Sequence, residues 1–196
     1  ENIRLNNLKN AGIIDGDGDT SDNKAIVWLS YNVHGNESSS TEAAMKTLYK
    51  LVTDNNDWLD NTLVILDPCI NPDGRDRYAN WFNQNVTIPL NTDPNAREHN
   101  EPWPGGRTNH YLFDMNRDWM PVTQPESNGR IKLFHHWRPQ FVLDAHEMGG
   151  NSTFFFQPGI PSRNNPNTPQ KTFDLTNKLV PFHSKRLDSI QSMYLT

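Results

Sequence analysis

Cysteine is almost missing: Cys69 is the only one among 196 residues, so the fold is held without an internal disulfide. Long apolar runs are missing too. No stretch approaches the ~20 residues that cross a bilayer, and the first residues show no basic segment leading into an apolar one. Neither a membrane span nor a signal peptide is expected. Cationic charge is also in deficit, with 18 Lys and Arg against 23 Asp and Glu and a formal charge of −5. Such a chain has no basic excess to neutralise a phosphate backbone, which argues against a nucleic-acid partner. No internal repeat is visible. The length suits one domain, residues 1–196, with a single sizeable core. Fourteen prolines, many Asn and Asp residues and a mean hydropathy of −0.79 predict long polar loops, and loops are where function concentrates.

Residues 25–33 form a nearly continuous apolar, β-branched and aromatic run, the pattern of a central strand covered on both faces. Ser39 with Glu42 makes a capping box. Met45, Leu48, Tyr49 and Val52 follow at helical spacing, which predicts a helix over 40–54 with that face on the sheet. A strand is predicted at 62–67; Pro68, Pro72 and Gly74 stop it and open a long irregular segment to Trp119. A helix at 125–137, stopped by Pro139, precedes a strand at 140–145. A short strand at 153–156 and a last helix from Thr168-Pro169, kinked or split at Pro181, complete the pattern. Strands alternating with helices predict an α/β fold with helices on both faces of its sheet. In such folds sites gather beyond the carboxyl ends of strands, and His34 and His146 both fall there.

His34 and Glu37 stand three apart in a turn entering a helix, and His146 ends another strand. Two imidazoles and one carboxylate fill three positions around zinc and leave the fourth for water, the arrangement of a catalytic site. His-x-x-Glu alone better fits a capped helix start with an exposed histidine. The distant Asp144-Ala145-His146 raises the metal reading. His99, His110, His135, His136 and His183 lie in polar loops or on helices and read as surface histidines.

Between these halves come Asn71-Pro72-Asp73-Gly74, then Gly106-Arg107-Thr108-Asn109, then Asp114-Met115-Asn116-Arg117. With His34-Gly35-Asn36-Glu37 ahead of them, these motifs stand in the order found in zinc metallocarboxypeptidases, which the chain resembles over more than half its length. The resemblance implies an α/β fold with a mixed, twisted sheet and a Zn2+ cofactor on His34, Glu37 and His146. It implies that Asn116 and Arg117 hold the free carboxylate of a peptide substrate, a task suited to a planar guanidinium. Arg107 then polarises the scissile carbonyl and steadies the oxyanion, and Asp114 accepts a hydrogen bond from His34 and fixes its orientation. A secreted or periplasmic location is implied in the same way.

Two departures accompany the likeness. Asn36 stands where the A and B branch carries an arginine, as in the N and E branch. The family's general-base glutamate and capping tyrosine lie beyond the third ligand, and beyond His146 this sequence holds one glutamate, Glu147. Beside a ligand at a strand end, Glu147 is expected to face away and make a poor base. The chain is therefore expected to be the N-terminal and central part of a catalytic domain continuing past Thr196. Two other readings stay open: an amidohydrolase of the aspartoacylase and succinylglutamate desuccinylase type, and a non-catalytic zinc- or peptide-binding domain. Asp15, Asp17 and Asp19 resemble half a calcium loop, but Thr20 and Ile26 stand where its glycine and glutamate belong. Asn85 and Asn151 begin glycosylation sequons.

Overall fold

Three apolar runs become one sheet. The computed structural model describes residues 1–10, 20–54, 56–150, 152–156, 159 and 161–195. In it β1 (Ala25–Tyr31), β2 (Thr62–Asp67) and β3 (Phe141–Ala145) pair in the order β2-β1-β3. Among the described residues both ladders of this sheet are parallel, so each return needs a crossover. Helix α2 (Ser39–Thr53) lies on the first crossover, α3 (Pro72–Asn85) and α4 (Pro125–Trp137) on the second. The α/β expectation holds, with β1 at the centre. Along β1 the period of two is plain: Ile26, Trp28 and Ser30 are buried, and Val27 and Leu29 between them only half so. Beyond the strand, Val33, Ile70 and Met115 form a buried cluster beneath the loops that carry the motifs.

Helix α2 corrects the expected packing face. Met45, Leu48, Tyr49 and Val52 are exposed, whereas Ser40, Ala44 and Leu51 are buried. The helix packs on β1 and β2, with Ser40, Ala44 and Leu51 on its buried side and the four side chains of the expected stripe pointing outward. The capping box does not form either. Ser38 precedes the helix without a side-chain cap, and Ser39 gives both its amide (2.8 Å) and its hydroxyl (2.6 Å) to Glu147 Oε1.

The stretch from Pro68 to Trp119 is not irregular throughout, because Pro72 starts α3 instead of ending a strand. Proline is favoured in the first helical turn, where its missing donor costs nothing. Asn71 caps that turn, its side chain accepting from the Gly74 amide at 2.9 Å. Helix α1 (Asn2–Asn10) was not foreseen from its polar sequence; it is tied down by Asn7 Nδ2 donating to the Lys24 carbonyl at 2.7 Å.

Residues Glu1–Glu147 and Met148–Thr196 form two compact units. The second contains β4 (Phe154–Phe155) and β5 (Tyr194–Leu195), a parallel pair, and α5 (Gln170–Ser189), which runs through Pro181 as one element. Phe156 packs its ring against Phe154, Tyr194 and His183. Asp15, Asp17, Asp19 and Asn151 lie outside the described residues.

Candidate metal centre

The chain leaves β1 through Asn32, whose φ of 61° lies in the left-handed region that asparagine tolerates better than most residues. This buried side chain organises the next turn. Its Nδ2 donates to the carbonyls of His34 and Glu37, each at 3.0 Å, and its Oδ1 accepts from Cys69 Sγ at 3.2 Å. Asn71 does similar work from the end of β2, donating to the carbonyls of Val33 (3.2 Å) and Arg107 (3.3 Å). Gly35, Gly74 and Gly106 meet where these three loops cross. A Cβ on Gly35 would strike Gly74, and one on Gly74 would strike the Gly106 carbonyl oxygen.

From this platform His34, Glu37 and His146 converge, with one ligand atom of each within 4.8 Å of the others. His34 Nδ1 lies 2.7 Å from Glu37 Oε1, and His146 Nδ1 lies 3.2 Å from Glu37 Oε2. The ring centroids are 4.9 Å apart. Among the described residues this is the one group of its kind, and no other histidine joins it. Burial pushes the Glu37 carboxyl up, but hydrogen bonds from His146, His34 and the Glu147 amide outweigh it and hold Glu37 well below the usual carboxylate range. His146 is raised to about 9, first by its hydrogen bond to Asp144 and then by Glu37, against the opposing effect of burial. An anionic carboxylate between two imidazoles, all converging, is a donor set that a divalent cation of zinc type fits.

The outer residues divide into those that reach this cluster and those that do not. Asp114 reaches it: Oδ1 lies 3.1 Å from His34 Nε2 and accepts the Asn116 amide at 2.9 Å. Its Oδ2 accepts from Arg107 Nε at 3.0 Å and pairs with Nη2 at 2.9 Å. Arg107 Nη1 then stands 3.4 Å from His34 Nδ1, so the guanidinium borders the cluster with that edge. Asn116 and Arg117 lie on the single helical turn Met115–Arg117 that follows Asp114, and neither hydrogen-bonds to the cluster. Arg117 is exposed; its Nη1 donates to the Asn116 carbonyl at 2.9 Å.

Four residues outside the expected site set, Arg77, Glu147, Asp144 and Arg130, shape this region. Arg77 on α3 donates to the carbonyls of Gly105 (2.9 Å), Thr108 (3.2 Å) and Asn109 (3.2 Å), clamping the loop that carries Arg107. Glu147, besides holding Ser39, donates its amide to Glu37 Oε2 at 2.9 Å. Asp144 Oδ2 lies 3.3 Å from His146 Nε2, and its Oδ1 lies 3.5 Å from buried Arg130. Asp144 was legible in principle, since residues i and i+2 of a strand share a face. Arg130, in mid-helix, offered no such signal.

A family model described as zinc carboxypeptidase matches residues 5–184 of the chain. No curated protein matches it.

Proposed function

The chain belongs to the zinc carboxypeptidase family, and from that premise we propose that it hydrolyses the last peptide bond of substrates ending in a free carboxylate. His34 and His146, each through Nδ1, and Glu37 through its carboxylate are the proposed zinc ligands. Bound there, zinc supplies Lewis acidity, lowering the pKa of its water towards ~7 and polarising the scissile carbonyl. The protein's own residues do the rest. Asp114 holds His34 with Nδ1 facing Glu37 and fixes two nitrogens of Arg107, leaving the Nη1 edge to donate to the substrate carbonyl oxygen as charge develops on it. Arg117, with most of its donors open to solvent, and Asn116 receive the terminal carboxylate. An extracellular or periplasmic setting is part of this reading on family grounds alone.

The convergence of three donors from two strand ends, with Arg107 bordering them, is the observation that carries the proposal. Two measurements test it together. Metal analysis should find about one zinc per molecule in the wild type and a marked loss in His146→Ala. A blocked dipeptide with a free C-terminus should be cleaved, and the same dipeptide amidated at its C-terminus should not. Equal zinc in both proteins refutes the ligand set. Cleavage of an N-acyl amino acid in preference to the dipeptide refutes the peptidase in favour of the amidohydrolase. A zinc- and peptide-binding domain is the second reading, favoured because the carboxylates of Glu37, Asp114, Asp144 and Glu147 around the site are all engaged. Tight binding of a C-terminal peptide without turnover would select it.

A further inference from the structure

Both imidazoles of the cluster are mounted the same way. Nδ1 of each faces Glu37, and Nε2 of each faces an aspartate: Asp114 for His34 at 3.1 Å and Asp144 for His146 at 3.3 Å. Of these two aspartates, the motifs discussed above give only Asp114 a part in orienting a ligand histidine. We propose that Asp144 is a second positioning residue of the metal centre, holding His146 with Nε2 protonated and Nδ1 presented to the ion. The proposal rests on the zinc reading and adds to it a residue that sets how tightly the metal is held.

The setting of Asp144 suits that task. It occupies the penultimate position of β3, two residues before His146. Strand register places it beside Ser30, and Ser30 beside Asp67, so three polar side chains form one row across the parallel sheet. Arg130 of α4, 7% exposed, lies against this row. Its Nη2 donates to Ser30 Oγ at 3.2 Å and reaches Asp144 Oδ1 at 3.5 Å, and its guanidinium carbon sits 4.1 Å above the Trp119 ring. One Asp144 oxygen is thus anchored to a buried cation, and the other is turned to His146. A carboxylate fixed in this manner restrains both the tautomer and the orientation of the imidazole. Removing such a partner commonly weakens metal binding by about 10–100-fold.

The test is the dissociation constant for zinc alone, measured by competition with a chromophoric chelator at neutral pH. Asp144→Asn should bind zinc about 10–100-fold more weakly than the wild type, with Asp114→Asn showing a loss of the same order. Asp144→Asn also leaves Arg130 partly unpaired, so a double variant, Asp144→Asn with Arg130→Met, removes both charges and keeps the test open should the single variant fold poorly. Because one positive and one negative charge leave together, a purely coulombic effect on the ion should largely cancel in the double variant. A loss through orientation should persist. A constant within threefold of wild type in Asp144→Asn, or its recovery in the double variant, overturns the positioning role. His34→Ala tests the underlying reading separately: unchanged zinc affinity there would discard the metal centre itself, whatever Asp144 does.

Discussion

Replacing Gly74 with alanine separates two opposed physical effects. Gly74 lies in the first turn of α3, where a helical glycine is worth up to about 1 kcal/mol less than alanine. Propensity alone therefore predicts a stabler protein. Contacts predict the reverse. The new Cβ would overlap the Gly106 carbonyl oxygen, lie 2.5 Å from Asn71 Nδ2 and 2.7 Å from the Thr108 carbonyl oxygen. Reaching an ordinary separation of about 3.5 Å requires the 106–108 loop to retreat by roughly 1 Å. Overpacking of this sort costs about 1–3 kcal/mol, and displacing Asn71 Nδ2 from the Val33 and Arg107 carbonyls adds about 1 kcal/mol. With the propensity gain subtracted, Gly74→Ala should lose about 1–3 kcal/mol, read as a lowered midpoint in urea unfolding at constant slope. Gly129 in α4 is the matched control, since a Cβ there meets nothing within 4 Å. Gly129→Ala should gain about 0.5–1 kcal/mol. If Gly74→Ala proves as stable as the wild type, the crossing of the three glycine loops is not the constraint described.

Two further outcomes follow from the same loops. Arg77→Met removes the donors shared by the Gly105, Thr108 and Asn109 carbonyls and should cost about 2–3 kcal/mol in urea unfolding; a loss below about 0.5 kcal/mol would mean that solvent replaces the clamp without penalty. Asp118 supplies a pH signature. Burial pushes its carboxyl up, but the amides of Thr123 and Gln124 and the Thr123 hydroxyl outweigh that and bring it to about 2. Because the folded value lies below the unfolded one of about 3.9, the carboxylate's stabilisation is complete above about pH 5 and is lost as pH falls towards about 2. The advantage of wild type over Asp118→Ala should accordingly be flat above pH 5 and shrink below it; an advantage unchanged down to about pH 3 contradicts the assignment.

Legibility in the sequence followed the strength of local signals. The strand Thr62–Asp67 and the helix Pro125–Trp137 have the bounds read from apolar content and flanking prolines. Pro72 was ambiguous, because the same residue ends a strand or opens a helix. Tyr78, Trp81 and Phe82, spaced i, i+3 and i+4 with ring centroids 5.6–6.4 Å apart, were the sign that a helix continued. In α2 the apolar stripe misled, since the buried side chains are Ser40, Ala44 and Leu51 instead. Strand ends placed His34 and His146 on one side of the sheet, but motif order was needed to bring them with Glu37 to one point, because a register between β1 and β3 is not written in either strand. The contributions of Arg77 and Arg130 stayed hidden for a related reason. Each acts on backbone or side chains 14 to 100 positions away, and no local pattern encodes such a partner.

Glu37 and His146 meet across 109 positions of sequence, and the Glu147 amide and carboxylate fasten the same junction to Glu37 and Ser39. An ion shared by these side chains, as proposed, would therefore be a clasp on a very large ring that encloses α2, β2, α3 and α4. Closing a ring of that length costs a free chain about 4 kcal/mol in entropy, so a nascent or half-assembled polypeptide offers the ion no such pocket. On the proposed ligand set, metal uptake would be a late event that registers completion of the fold, and its kinetic mark should be slower opening of the finished protein with little change in the speed at which it forms.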